Sequence, residues 1–240
     1  MDFTLFIPTL NERSSMEQIM PKVDTSVFCQ ILVSDGNSKD GTAGYAKSLG
    51  YDVHLQSQKG IRFAYIEAWP KITGDYVITF SPDGNCPPED LPKLIQKVKE
   101  GFDMVVASRY LPPAKSDDDG LITGFGNWLF TRTVNLLHGG AYTDAMTIFR
   151  IYRTSLFTEL GLDREDAYAL PEKLYFTKMG IEPLLSVRAA RAKCKIGEIP
   201  SNEPKRIAGD AKVQVIRWGA AYYTQFFLEL GWKPPQRLVS

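Results

Sequence analysis

Short β-rich runs and amphipathic stretches alternate along the first half of the chain, and no other feature limits the fold as much. Residues 4–10, 30–34, 52–56, 76–80 and 104–108 are rich in Val, Ile, Leu, Thr and Phe and read as strands. Between them, residues 14–21, 40–49, 61–69 and 87–99 carry helical spacing, and the last opens on Pro87-Pro88-Glu89-Asp90, which suits a helix start. A βαβα succession brings each strand beside a parallel neighbour through a right-handed crossover, so it predicts an α/β, doubly wound, mostly parallel sheet with helices on both faces. Ligands of such sheets sit at the carboxyl ends of the strands. Polar residues collect there: Asn11-Glu12 after the first strand, Asp35-Gly36-Asn37 after the second, Ser81-Pro82-Asp83 after the fourth and Arg109 after the fifth. One polar turn is ordinary, but four in register point to a site.

A chain of 240 residues, 44% of them hydrophobic, is long enough to bury a core, which excludes a disordered tail protein. Lys+Arg and Asp+Glu number 28 each, so nothing draws the chain as a whole to nucleic acid, and an anion must be gripped locally. Cys29, Cys86 and Cys194 stand far apart without Cys-x-x-Cys spacing, which argues against a disulfide framework or a zinc site and for a reducing, cytoplasmic setting. Asp2 leads straight into strand-like sequence. No apolar stretch reaches the roughly 18 residues of a membrane span, so neither a cleaved signal nor a transmembrane helix is expected. The acidic loop 115–120, with Asp117-Asp118-Asp119, is too short for an interdomain linker. Residues 1–213 are therefore expected to form one domain, and 214–240 an amphipathic, helical C-terminal extension.

Neither Gly-x-Gly-x-x-Gly nor Gly-x-x-x-x-Gly-Lys-Ser/Thr occurs, so a nucleotide would need a different cradle. Asp35, at the end of the second strand, offers only acceptors and suits a base edge rich in N–H donors, such as uracil or guanine. Asp35 and Asp40 equally suit turn and helix-cap roles, and both readings stand at this point.

The ordered series Phe6-Ile7-Pro8-Thr9-Leu10-Asn11-Glu12 and Val33-Ser34-Asp35-Gly36-Asn37-Ser38-Lys39-Asp40-Gly41-Thr42 resembles the paired signatures of glycosyltransferase family 2. The resemblance continues through Lys59-Gly60-Ile61-Arg62, Thr73–Tyr76, Ser81–Glu89, Ala107–Tyr110, Asp144–Arg150, Gly197–Pro200 and Lys205–Lys212. It covers residues 3–213, and in layout it resembles the polyprenyl-phosphate sugar transferases of that family. It implies a GT-A fold, Rossmann-like, carrying a catalytic domain over 1–213. It also implies a nucleotide-sugar donor, UDP- or GDP-linked, with inversion at the anomeric carbon. Donor contacts then fall on Pro8, Glu12, Asp35, Lys59, Arg62, Asp83 and Arg109. The family shows Asp-x-Asp after the fourth strand, a pair that takes a divalent cation, Mg2+ or Mn2+; here Ser81 replaces the first acid. Asp83, with Asn85 as a carbonyl ligand, is expected to hold the metal, more weakly for the lost charge.

Phosphates of donor and acceptor need cations. The resemblance implies that the stretch from Arg206 to Lys212 folds over both, while Lys205 suits a solvated surface. Arg132 falls in the acceptor-phosphate region of the polyprenyl-phosphate enzymes, although Asn127 stands where those often carry an arginine. A phosphate acceptor is already ionised, whereas a hydroxyl needs a carboxylate to take its proton. Asp144 and Glu182 are the candidate acids. The acceptor is expected to be a polyprenyl phosphate or a lipid-linked or cell-surface glycan precursor. Residues 120–131, 133–143 and 218–232 are nearly uncharged or rich in aromatics, and suit peripheral contact with the cytoplasmic membrane face, core packing or a homodimer face alike. A sugar-phosphate nucleotidyltransferase shares the alternation but lacks its phosphate loop here. A catalytically inactive nucleotide-sugar binder or scaffold, suggested by Ser81, is the other alternative.

Overall fold

In a computed structural model that describes residues 1–207 and 215–235, the five strands read from the first half pair into one sheet with two more from the second half. In chain order the elements are β1 (Phe3–Thr9), α1 (Arg13–Ile19), β2 (Gln30–Asp35), α2 (Thr42–Ser48), β3 (Asp52–Leu55), α3 (Ile61–Ala68), β4 (Tyr76–Thr79), α4 (Leu91–Val98) and β5 (Met104–Ser108). Then come α5 (Leu121–His138), β6 (Arg150–Arg153), α6 (Leu156–Glu159), α7 (Asp166–Tyr175), α8 (Glu182–Arg191), β7 (Ile196–Pro200) and α9 (Val215–Leu228). The strand order is β3-β2-β1-β4-β6-β5-β7. All neighbours are parallel except those of β6, which runs antiparallel between β4 and β5. This is the expected α/β architecture, mostly parallel with helices on both faces.

Alternation along the strands builds two cores. Phe3, Leu5 and Ile7 of β1 face one layer with Met16 and Ile19 of α1 and Leu94 and Val98 of α4. Phe6 faces the other layer, where Tyr65 and Trp69 meet Tyr152, Leu184 and Phe226. Trp69 stacks on Phe157 with ring centroids 4.1 Å apart. The C-terminal helix α9 packs into this second layer, with Ala221 and Phe226 fully buried.

Two helix starts fall two or more residues from the sequence expectation, each for a local reason. The helix expected over 40–49 starts at Thr42, with Gly41 at φ +87 as its N-cap, and the Asp40 carboxylate just before it fixes the turn by accepting the backbone N–H of Thr42 and of Arg13, both at 3.0 Å. The helix expected over 87–99 opens as a 3-10 turn at Pro88–Asp90 before α4 begins. The uncharged segment 120–131 and the first part of 133–143 share one helix, α5, closed by Gly139, and 140–143 continue beyond it as a loop. Leu121 is 96% exposed and Leu136 84%, and Ile122, Phe125 and Trp128 are exposed with them, Phe125 stacked on Trp128. Among the described residues no helix is long and apolar enough to cross a membrane.

Candidate active site

At the carboxyl edge of the sheet the loops after β1 and β2 interlock. Asp35, buried at the end of β2 and opposite Thr9 in register, accepts from Ser38 N at 2.8 Å, Ser38 Oγ at 2.6 Å and Thr9 Oγ1 at 3.3 Å. Asn11 N–H donates to Ser38 Oγ at 2.8 Å, and Asn11 Oδ1 accepts Lys39 N–H at 2.8 Å. Pro8 lies in β1 opposite Ser34. Glu12 accepts the Ser15 hydroxyl at 2.8 Å through Oε2, and its N–H donates to Thr42 Oγ1 at 3.0 Å.

Beyond β4, a cavity of about 350 Å3 opens between the loops after β4, β5 and β7 and the starts of α3 and α8. Its wall carries Ser81, Asp83, Asn85, Arg109, Glu182, Glu203 and Arg206, so the structure brings five of the residues singled out from sequence to one place. The turn at Asp83-Gly84-Asn85 depends on Gly84 at φ +99, where an added Cβ would also press on Ile207. Asp83 Oδ1 accepts Asn85 N–H at 3.1 Å, and Asn85 Nδ2 donates to Asp118 at 3.3 Å. Asn85 Oδ1 is buried without a hydrogen-bond partner. A buried carbonyl oxygen left bare beside a carboxylate fits a hard cation, which prefers oxygen ligands. Among the described residues no group of three or more His, Cys, Asp or Glu is placed to hold a metal, so such a cation would need oxygens from the ligand and water.

Arg109, next after β5, is gripped from two sides. Its Nε and Nη2 fork onto Asp144 at 2.6 and 3.0 Å, and its Nη1 donates to Glu203 at 3.2 Å. Asp144 is fully buried behind it and also accepts Met146 N and Thr147 N, so it does not line the cavity. Burial works to raise the Asp144 carboxyl, but the Arg109 guanidinium and its hydrogen bonds hold it below the usual carboxylate range. Glu203 is pushed the other way by burial, against the pull of Arg109. Glu182 opens α8 with its carboxylate at the cavity wall, where Oε1 accepts the Tyr65 hydroxyl at 2.8 Å. Arg206 spans two acids, with Nε 3.1 Å from Asp118 and 3.9 Å from Asp83.

Other singled-out residues lie apart. Arg62 is buried in α3 over the Tyr168 ring and paired with Glu172 at 3.0 Å, lining a separate groove. Lys59 is exposed in the loop before α3, which Glu67 holds by accepting Ser57 N at 2.7 Å and Gln58 N at 2.9 Å. Arg132 is exposed on α5, its guanidinium 5.7 Å from the Trp128 ring centre, in a groove of about 920 Å3 beside Asn135. Lys212 lies outside the described residues. Sequence reading passed over Asp118, Lys178, Glu203, Trp218 and Tyr222 as site residues, although all but Asp118 line the main cavity. Asp118 had a signal in the acidic run; Lys178 had none.

Comparison with known proteins gives a consistent picture. The family model described as Glycosyl transferase family 2 matches residues 4–161. The undecaprenyl-phosphate mannosyltransferase of Micrococcus luteus is 28% identical over 235 residues, covering 90% of this chain and 93% of that protein. The dolichol-phosphate mannosyltransferase of Pyrococcus furiosus is 27% identical over 225 residues and 89% of this chain, which spans 60% of that longer protein. Among solved structures, glucosyl-3-phosphoglycerate synthase of Mycobacterium tuberculosis, crystallised with Mn2+, uridine diphosphate and glucosyl-3-phosphoglycerate, superposes with a TM-score of 0.67. It shares 16% identity across 98% of this chain and 81% of its own, a likeness of fold.

Proposed function

The chain belongs to glycosyl transferase family 2 and is a glycosyltransferase, and from that premise we propose that it moves a sugar, with inversion, from a UDP- or GDP-linked donor to a polyprenyl-borne acceptor. That acceptor is a polyprenyl phosphate or a lipid-linked glycan precursor, in keeping with the names of the two relatives above. The observation that carries the reading is the convergence of Asp83, Asn85, Arg109, Glu182 and Arg206 on one cavity at the carboxyl edge of the sheet.

Asp35 and the Asp83 turn follow strands two places apart in the sheet, roughly 10 Å at the usual strand spacing. That span fits a nucleoside with its base against Asp35, beside Pro8 and Glu12, and its diphosphate against the Asp83 turn. Asp83 and Asn85 would hold a divalent cation there, which supplies positive charge to the departing diphosphate. Arg206 covers the same phosphates once it exchanges Asp118 for them. Arg109, fixed by Asp144, sets the cavity floor, and Glu182 faces the reacting centre. Residues 1–213 carry the chemistry, and α9 in the extension contributes Trp218 and Tyr222 to the wall. The exposed apolar side of α5 rests on the cytoplasmic membrane face and brings the lipid acceptor near.

The test is a panel of labelled UDP- and GDP-sugars with Mg2+ or Mn2+, scored for sugar released or passed to lipid. Turnover with one of them is expected. Tight donor binding without release or transfer would instead favour the inactive binder that Ser81 allows, and no binding by any donor refutes both.

A further inference from the structure

Resting on that reading, we infer that the attacking group of the acceptor is a sugar hydroxyl, seated in the recess between α5 and α9, and not a phosphate. The recess, of about 270 Å3, opens off the main cavity and shares Arg109, Glu203, Arg206, Trp218 and Tyr222 with it. Its own wall adds Asp118, Asp119 and Asn127, with Asn127 Nδ2 donating to Asp119 at 3.2 Å and to the Tyr110 hydroxyl at 3.0 Å.

Charge decides between the two acceptor classes. Among the described residues, Arg109, Lys178 and Arg206 are the cations lining the main cavity, and each is already paired. Arg109 is held by Asp144 and Glu203, Arg206 by Asp118, and Lys178 by Glu172 at 2.9 Å, a carboxylate shared with Arg62. Asp83, Glu182 and Asp119 add three further carboxylates to the two walls. The donor diphosphate claims Arg206 and the cation expected at Asp83, and what remains around it among the described residues, Asp118, Asp119 and Glu182, is anionic. A phosphate brought into that remainder would meet uncompensated carboxylates at short range. Carboxylate and amide acceptors beside indole and phenol rings are instead the chemistry that receives a sugar, its hydroxyls donating and its C–H face lying on the rings.

A hydroxyl also needs a base, and Glu182 stands at the wall with Oε1 fixed by Tyr65. In the step, the acceptor oxygen forms the bond to the anomeric carbon and its proton passes to Glu182. The bond from that carbon to the phosphate oxygen breaks, and its electron pair leaves on the nucleoside diphosphate.

The full chain, a labelled donor and vesicles bearing equal amounts of undecaprenyl phosphate and of undecaprenyl diphosphate carrying one hexose test this directly. Label is expected on the hexose, and mild acid should release a labelled disaccharide. Glu182→Gln should cut that transfer by about 10²–10⁴-fold, and Asp119→Asn should raise the KM for the lipid-linked hexose while the KM for the donor stays. Transfer to undecaprenyl phosphate at an equal or higher rate, seen as a labelled monosaccharide after mild acid, overturns the inference and leaves the transferase reading intact. Label passing only to water with both lipids present overturns it too. A donor neither bound nor cleaved fails the transferase reading itself.

Discussion

Replacing Asp144 by Asn probes the floor of the cavity without changing its shape. In the native chain two guanidinium nitrogens of Arg109 fork onto the carboxylate at 2.6 and 3.0 Å, with the backbone N–H groups of Met146 and Thr147 at 3.1 and 3.2 Å on Oδ1. An asparagine keeps one acceptor but turns an N–H toward Arg109, so a buried cation loses half its fork. Breaking a buried pair from one side costs about 3–5 kcal/mol. Glu203, 3.2 Å from the third nitrogen, still neutralises part of the charge and places the cost at the lower end. At roughly 2–4 °C per kcal/mol for a chain of this length, melting should fall by about 6–12 °C near neutral pH. The sign of the pH dependence follows from the depressed carboxyl. Its stabilisation is fully present above the ordinary value of 3.8 and lost as pH falls through the lower folded value. The gap between native and Asp144→Asn protein should thus stay constant across the neutral range and close in acid. Thermal or urea unfolding followed by circular dichroism at several pH values reads both. A shift under about 2 °C near neutrality, or a gap undiminished well below pH 3.8, would refute the argument.

Gly74 approaches β1 so closely that an added Cβ would sit 2.7 Å from Thr4 N and 2.9 Å from Asp2 O, both backbone atoms. Gly74→Ala should therefore cost about 1–3 kcal/mol in urea unfolding, and an unchanged midpoint would contradict the packing described. Asn85→Ala removes the bare carbonyl oxygen and should weaken Mn2+ binding by about 10–100-fold in calorimetry with uridine diphosphate present; equal affinity would detach Asn85 from the metal. Trp128→Glu on the exposed side of α5 should shift the chain from pellet to supernatant in sedimentation with anionic vesicles, with melting unchanged. Equal pelleting would remove α5 as the membrane-contacting surface.

How much was legible in the sequence follows from what each signal depends on. β1, β2, β4 and β5 announced themselves because buried parallel strands are apolar runs bounded by polar turns, and those turns also delivered Asp83 and Arg109, while the partly exposed edge strand β3 was legible from its place in the alternation. β6 gave no such signal: four residues with Arg150 and Arg153 at its ends carry no period, and its place between β4 and β5 is set by pairing across the sheet. The partners of the cations were equally hidden. Arg62 meets Glu172 from 110 residues away and Arg206 meets Asp118 from 88, distances over which composition says nothing about contact. The interlocked turns of Asp35, Ser38 and Asn11 sit between: Asp35 was visible, but its occupation by Ser38 belongs to tertiary geometry.

The reversed direction of β6 has an architectural consequence. In an all-parallel sheet the ligand side is built from segments leaving strands, each tied to the crossover helix that follows. Because β6 enters where its neighbours exit, the segment Asp144–Ile148 arrives at the same rim as an inbound lead, anchored by what comes after it. Arg109 and Asp144 thus meet tip to tail, one paid out from β5 and the other reeled into β6. Lengthening α5 or its flanking loops can reshape the mouth while this junction keeps its register, which makes the base of the pocket conservative and its entrance free to diverge.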